Sequence, residues 1–199
     1  MTQSRRTVLR LGLGALAASA CAGTVLALRR RPAPDLPSDL CITAPAWPYD
    51  PQAGLPAQAP RRVPAEARCP VCGMFPARQP RWAAQLRYLD DSAQFFDSPL
   101  TLALWWQAPT RYSPGRQQTD VAALWVQDFA SGRWLDATQA HYVHGSRERG
   151  PMRNGNLPPF GDSATAQVFA KANGGRVLSW RELDAELLRA LDTRIHDHA

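Results

Sequence analysis

The sequence predicts an α+β protein made of two small, similar β-β-α(-β) units in tandem, preceded by an extended Pro-rich linker. Two observations support this class. Short stretches in which apolar and polar residues alternate are followed by stretches with helical spacing and a capping signal. Phe-Asp-Ser, ending at Ser98, and Phe-Gly-Asp-Ser, ending at Ser163, precede the helices of the two halves. This repetition indicates an internal duplication that forms one compact body.

Composition divides the chain into four segments. They are an export signal or membrane anchor at residues 1–31, a Pro-rich linker at 32–64, a body at 65–195 and a tail at 196–199. The linker holds nine of the 18 prolines and no periodic pattern, so we expect a semi-rigid spacer on which Trp47 and Tyr49 dock back to the body. Within the body, the two units span approximately 65–130 and 131–195.

The first 31 residues are typical of a targeting segment. Ser4-Arg-Arg-Thr7 resembles the start of a twin-arginine export signal, and residues 11–28 form an uncharged run of 18. Because Ala18-Ser-Ala20 precedes Cys21, three outcomes are open: lipidation of Cys21, ordinary cleavage, or retention as a membrane helix of about 27 Å. Each outcome places the body outside the cytoplasm, and we expect a periplasmic, membrane-associated protein.

The net charge of +6 belongs to the targeting segment rather than to the body. Six arginines and no acidic residue lie in residues 1–31, and the rest of the chain holds 17 basic and 17 acidic residues. A neutral body gives no reason to expect a nucleic-acid partner. The chain also shows no Ser–His–Asp order, no phosphate-binding glycine loop and no convincing carboxylate pair. We therefore do not expect an enzyme of the hydrolytic or nucleotide-dependent classes.

Alternation and capping signals place the elements of the body. Strands are predicted at residues 82–89, 93–96, 120–128, 134–137, 140–146 and 176–180, and helices from 99, at 164–172 and at 181–193. Asp97 or Ser98 is the expected N-cap of the first helix, with Pro99 at its first position. Residues 108–118 are predicted to form a loop.

The segment Cys69-Pro-Val-Cys72-Gly-Met74 carries the strongest chemical signal. It places two thiols and a thioether within six residues, and such soft ligands select Cu(I), zinc or iron–sulfur clusters over hard cations. Thioether is a good ligand for Cu(I) and a poor one for zinc, so the methionine favours copper. Gly73 allows a backbone turn with positive φ between Cys72 and Met74, so that both sulfurs face one point.

Other interpretations of the two cysteines stay open. Cys69 and Cys72 could form a redox dithiol, which makes a thiol–disulfide oxidoreductase or a copper-site reductant the alternative function. The pair could also be a structural disulfide in a membrane-tethered interaction module without metal. A thioredoxin-like motif expects a helix through the second cysteine, and the prolines at 76 and 80 disfavour one.

The body resembles the NosL family, accessory lipoproteins of nitrous oxide reductase maturation. The matching segments occur in the order of the family between residues 66 and 183. They are Cys69-Pro-Val-Cys72-Gly-Met74, Trp82-Ala-Ala-Gln85, Phe95-Phe96-Asp97, Trp134-Leu-Asp136-Ala137, Tyr142-Val143, Gly145-Ser146, Gly150-Pro-Met152, Pro159-Phe160 and Gly174-Gly-Arg-Val-Leu178. The resemblance implies a periplasmic Cu(I)-binding metallochaperone with two similar α+β units. It also implies delivery of copper to the copper-sulfide site of nitrous oxide reductase and its maturation machinery, and a lipid anchor on Cys21.

The resemblance also leads to a hypothesis for the ligands. Cys72 binds Cu(I) as a thiolate and Met74 supplies a thioether, while Cys69 is either a further thiolate or a disulfide partner of Cys72. Met152, on the Gly-Pro-Met loop of the second unit, closes the site from across the interface. His144 or His141 supplies a nitrogen. Because residues three apart on a strand point to opposite faces, at most one of these histidines joins the site.

Overall fold

A computed structural model describes residues 44–151 and 157–192. The strands are β1 (Ala84–Tyr88), β2 (Ala93–Phe96), β3 (Val121–Gln127), β4 (Trp134–Asp136), β5 (His141–His144), β6 (Pro159–Phe160) and β7 (Arg176–Ser179). The helices are α1 (Pro99–Gln107), α2 (Pro109–Tyr112), α3 (Ser163–Asn173) and α4 (Ala185–Leu191). The predictions for residues 1–31 with Cys21, for Met152 and for the tail 196–199 lie outside the described residues.

The strands form two antiparallel sheets with the same internal plan. The first sheet has the order β2-β1-β3-β4 and the second the order β6-β5-β7. In each sheet the first strand is central, the second strand pairs on one side, and the strand after the helix pairs on the other. The fold is therefore α+β, and β1-β2-α1-β3 is repeated as β5-β6-α3-β7. The predicted class and the tandem order of elements are confirmed.

One strand crosses the boundary that the sequence places near residue 131. β4 pairs with β3, with Val126 opposite Leu135, and so extends the first sheet. The reason is local, because β3 and β4 are joined by a short hairpin turn in which Gly132 adopts φ +72°. The second repeat consequently begins with β5.

Both repeats start their helix with a side-chain cap. In the first repeat Ser98 is the N-cap, accepting a hydrogen bond from the Thr101 backbone N–H at 3.3 Å, and Pro99 is the first helical residue, as predicted. In the second repeat Asp162 is the N-cap and accepts from the Thr165 backbone N–H at 2.8 Å. These caps fix where each helix leaves its sheet.

Two elements begin later than the sequence predicts, one predicted loop contains a helix, and other ends differ by one or two residues. The strand predicted from residue 82 begins at Ala84, because Pro80–Trp82 forms a 3-10 turn. The helix predicted from residue 181 begins at Ala185, where Asp184 caps it, after a separate 3-10 turn at Trp180–Glu182. The predicted loop at 108–118 contains the short helix α2, whose first residue is a proline.

One apolar core joins the two repeats. It brings Trp105 of α1 together with Tyr142 of β5, Leu178 of β7 and Leu188 of α4, all of them at most 2% exposed. The indole N–H of Trp105 donates to Ser113 Oγ at 2.9 Å, so the buried ring keeps its hydrogen bond. A second cluster lies under α3 and includes Val143, on the same strand as Tyr142. β5 therefore packs into the shared core with one residue and into the second repeat with the next.

The described part of the Pro-rich segment is held against the first sheet. Trp47 exchanges two backbone hydrogen bonds with Ala93, at 2.7 and 2.8 Å, which confirms the predicted docking of Trp47. The buried side chain of Gln85 exchanges two hydrogen bonds with the backbone of Arg61, at 3.0 and 2.9 Å. The buried guanidinium of Arg87 donates to the carbonyl oxygen of Ala57 at 3.0 Å. The chain from residue 44 onward is thus part of the folded unit.

Within residues 44–151 and 157–192, no helix combines the length and the hydropathy that crossing a bilayer requires.

The close approach of β5 and β7 depends on Gly175. A Cβ atom on Gly175 would lie 2.5 Å from the carbonyl oxygen of His144 and 2.8 Å from the amide nitrogen of Ser146, at φ +98°. We expect Gly175→Ala to lower the free energy of unfolding by about 3 kcal/mol, because strain and a backbone clash combine. The measurement is urea denaturation of the two proteins.

The matched control is Gly132→Ala, also at positive φ but with no atom within 4 Å of the added Cβ. It should cost only about 1 kcal/mol. Equal losses of unfolding free energy in the two variants would contradict the close approach of the Gly175 backbone to His144 and Ser146.

Candidate metal centre

The cysteine loop closes on itself through its backbone. The amide of Gly73 donates to the carbonyl of Cys69 at 2.8 Å, and the amide of Cys69 donates to the carbonyl of Met74 at 2.8 Å. Gly73 adopts φ +76°, as its position between Cys72 and Met74 predicts. The loop therefore brings residues 69–74 into a tight turn, without a helix through Cys72.

The thiols of this loop meet a carboxylate at the start of α1. The Sγ atoms of Cys69 and Cys72 and a carboxylate oxygen of Asp97 all lie within 4.8 Å of one another. Cys69 is 1% exposed and Asp97 5% exposed, whereas Cys72 is half-buried. Both cysteines are free thiols. The three side chains form what we call the thiol–carboxylate cluster, which is open to solvent on the side of Cys72.

Asp97 is the member that the sequence analysis missed. The sequence marks Asp97 as a candidate helix cap and as part of the matching segment Phe95-Phe96-Asp97, but not as a ligand. Ser98 makes the capping hydrogen bond and leaves the Asp97 carboxylate to other partners. One of its oxygens accepts a hydrogen bond from the Thr101 hydroxyl at 2.7 Å. The sequence signal for Asp97 is the pair of possible caps, Asp97 and Ser98. Only one residue can cap the helix, so the side chain of the other is available for a different contact.

The two thiols of the cluster differ in acidity. Burial by itself raises the pKa of the Cys69 thiol, but hydrogen bonds from the Cys72 thiol and from the Asp97 backbone bring this pKa below its ordinary value. The pKa of Cys72 is raised, first because its proton is held in the hydrogen bond to Cys69 and then by burial. The negative charge of Asp97 raises both pKa values. Of the two thiols, Cys69 is therefore the first to ionise, and Cys72 keeps its proton to higher pH.

The remaining predicted ligands occupy different places. The Met74 side chain is 37% exposed and follows the cluster on the same turn. His144 ends β5 in the second sheet, where burial and then the charge of Arg176 lower its pKa. Among the described residues, the cluster contains no histidine. The roles of Met74, His144 and Met152 as ligands stay predictions.

The comparison with protein families bears directly on this site. A model of the family described as NosL matches residues 60–188, which include the cysteine loop, Asp97 and both repeats. The chain belongs to the NosL family.

Two relatives and a solved NosL structure extend the comparison. The "Copper-binding lipoprotein NosL" of Stutzerimonas stutzeri is 30% identical over 143 residues, covering 66% of this chain and 71% of the relative. The protein of the same name from Achromobacter cycloclastes is 38% identical over 74 residues, 37% of this chain and 38% of the relative. The crystal structure of the copper chaperone NosL from Shewanella denitrificans has a TM-score of 0.53 at 20% identity, over 66% of this chain and 99% of that one. This last similarity shows that the NosL fold is shared.

The charge of Asp97 provides a test of the cluster in this NosL protein. Because the carboxylate repels thiolate, Asp97→Asn should lower the pKa of both thiols, so that thiolate forms at lower pH. The measurement is a pH titration of the ultraviolet absorbance of thiolate in the reduced, metal-free protein.

Asp136→Asn, at an exposed position on β4, is the control and should leave the pH dependence of the thiolate absorbance unchanged. A titration of Asp97→Asn that coincides with that of the parent would show that the carboxylate does not face the thiols.

Proposed function

We propose that this NosL protein is an extracytoplasmic Cu(I) carrier that delivers copper for assembly of the copper-sulfide site of nitrous oxide reductase. The observation that carries the proposal is the thiol–carboxylate cluster beside the exposed Met74, in a chain whose relatives are named copper-binding lipoproteins. The reductase and its maturation machinery are the partners that the family resemblance implies. We propose a carrier rather than an enzyme.

The donor set supports copper in its monovalent state. Two sulfurs within 4.8 Å of each other form a soft site, which Cu(I) prefers over hard cations. Cys72 keeps its proton to higher pH than Cys69, through its hydrogen bond to the Cys69 sulfur, and Cu(I) held by both sulfurs would displace that proton. The positive charge of Cu(I) would offset thiolate charge in a largely buried site, which lowers the cost of ionising the cysteines there.

The depth of the three sulfurs supports a role in transfer. Cys69 is 1% exposed, Cys72 is half-buried and Met74 is 37% exposed. A metal held by Cys69 and Cys72 can therefore be reached by a ligand of another molecule from the side of Met74. Such graded access suits a carrier, which has to release its metal by ligand exchange.

The same geometry disfavours the oxidoreductase alternative. A thiol that starts disulfide exchange needs both a lowered pKa and access to its target. Here the pKa is lowered for Cys69, which is 1% exposed, and raised for the more accessible Cys72. The loop also lacks the helix that runs through the second cysteine of thioredoxin-like motifs.

The N-terminal segment completes the proposal. We propose that residues 1–31 export the protein and that Cys21, or the uncleaved segment, attaches it to the membrane on the periplasmic side. The relatives that share the family are named lipoproteins, which supports a lipid anchor. Within the chain, Cys21 directly follows the small residues Ala18-Ser-Ala20 that such processing favours.

Competitive Cu(I) titration of the reduced protein tests the carrier. We expect about one Cu(I) per chain and a loss of affinity of at least about 100-fold in Cys72→Ser with Met74→Ala, because two soft ligands are removed. Cys41, in the Pro-rich linker, is not among the predicted ligands, so Cys41→Ser serves as the control and should leave the Cu(I) affinity unchanged. A parent that binds no Cu(I), while Cys69 and Cys72 cycle cleanly as a disulfide, would contradict the carrier and support the oxidoreductase.

The contribution of the second repeat is tested at Met152. If the Gly-Pro-Met loop supplies a thioether, Met152→Ala should weaken Cu(I) binding by about tenfold, the equivalent of one modest ligand. Arg153→Ala changes the neighbouring residue and should leave the affinity unaltered. Equal Cu(I) affinity of the Met152 variant and the parent would exclude Met152 as a ligand, without changing the proposed roles of Cys72 and Met74.

A further inference from the structure

The turn that carries the proposed copper ligands is bordered by exposed arginines. Residues 62–81 contain four arginines and one acidic residue, Glu66, and all five of these side chains are exposed. From residue 67 to residue 89 the chain has no Asp or Glu at all. The body as a whole is close to neutral, so this excess of positive charge is a local property of the turn.

Two of these arginines are fixed on one aromatic ring. The guanidinium carbons of Arg68 and Arg78 lie 4.2 and 4.4 Å from the ring centre of Phe75, the residue after Met74. Cation–π contacts of this kind hold long side chains in place while leaving their charge available. We call Arg68, Phe75 and Arg78 the arginine clamp.

The clamp is also tied to the cysteine loop itself. Arg68 Nη1 donates to the carbonyl oxygen of Gly73 at 3.1 Å, between Cys72 and Met74 in the chain. Arg78 ends the 3-10 turn Pro76–Arg78 that follows directly. The two charges therefore sit at a defined position beside the exposed thioether, whereas a solvated arginine would sample many positions.

We propose that the arginine clamp is the docking surface for an acidic patch on the protein that exchanges copper with this chain. The inference rests on the proposed function, because it assigns the clamp to the partner in copper transfer. A receiving protein has to bring its ligands to the side of Met74, and that approach passes the two guanidinium groups. Arginine forks bind carboxylates in a bidentate manner, which orients an acidic partner as well as attracting it.

The observations favour a protein partner over an anionic membrane. A bilayer lying on the clamp would cover the exposed Met74, through which the metal has to leave. An acidic protein surface can instead place its own ligands against the same thioether. Steering by opposite charges raises association rates by roughly 10- to 1000-fold and weakens as salt screens the charges.

The experiment compares charge variants in a transfer reaction. Protein loaded with Cu(I) is mixed with copper-free nitrous oxide reductase, and the second-order rate of copper transfer is followed at low and high ionic strength. We expect R68Q with R78Q to lower the rate at low salt by about tenfold and to remove most of its salt dependence. The Cu(I) affinity of this variant should match that of the parent.

The matched control is R111Q with R189Q, which makes the same change of charge at exposed arginines of α2 and α4. This control should transfer copper at the rate of the parent. Equal rates for the clamp variant and the control would overturn the docking surface. Loss of Cu(I) affinity in the clamp variant would also overturn it, because the arginines would then serve the metal site itself.

Two further outcomes separate this inference from the proposed function. A parent protein that transfers no copper to the reductase contradicts the proposed delivery, and it thereby overturns the docking surface as well. Binding to vesicles of anionic lipid that the clamp variant loses, together with an unchanged transfer rate, assigns the clamp to the membrane and overturns only the docking surface.

Discussion

The start of α1 is the constraint on which the rest of the site depends. Ser98 caps the helix, Pro99 sets its first turn, and Asp97 is left between the end of β2 and the cap. The backbone N–H of Asp97 hydrogen-bonds Cys69, while its carboxylate lies against both thiols. Because α1 is buried in the core shared by both repeats, this position is held by the packing of the whole protein. The cysteine loop has no regular secondary structure, and the hydrogen bond between Cys69 and the Asp97 backbone ties it to the start of α1.

The two repeats cap their helices with different residues of the same Asp-Ser pattern. At α3, Asp162 is itself the N-cap, its carboxylate is used by Thr165, and the residue is exposed. At α1 the capping role has moved one residue along the chain to Ser98. The carboxylate of Asp97 is therefore released from capping, although it keeps a hydrogen bond to a threonine hydroxyl. The two repeats thus place the cap at different residues of the same Asp-Ser pattern, and in the first repeat the aspartate that does not cap lies beside the thiols.

Sequence reasoning correctly predicted the features that are determined by residues adjacent in the chain. The cap and proline at Ser98 and Pro99 and the positive φ of Gly73 are local signals, and the structure shows both. Alternation located the strands but not their burial, since β1 and β2 are buried at every position. Asp97 could not be identified as a member of the cluster in this way, because its burial beside Cys69 arises from contacts 28 residues apart in the chain. The same holds for the Pro-rich segment, whose contact with β1 depends on the buried side chains of Gln85 and Arg87. Composition alone describes such a segment as a spacer, since prolines break the pattern that packing would otherwise reveal.

The two thiols of the cluster differ both in burial and in the direction of their pKa shifts. A buried thiolate on Cys69 next to Asp97 would be costly if both thiols were ionised without a cation. The raised pKa of Cys72 keeps a proton on the more accessible sulfur to higher pH, which avoids that double ionisation. In the proposed copper site, an incoming metal would reach Cys72 before the buried Cys69. The backbone hydrogen bonds that close the turn hold residues 69–74 together without regular secondary structure, so the two sulfurs stay adjacent at different depths.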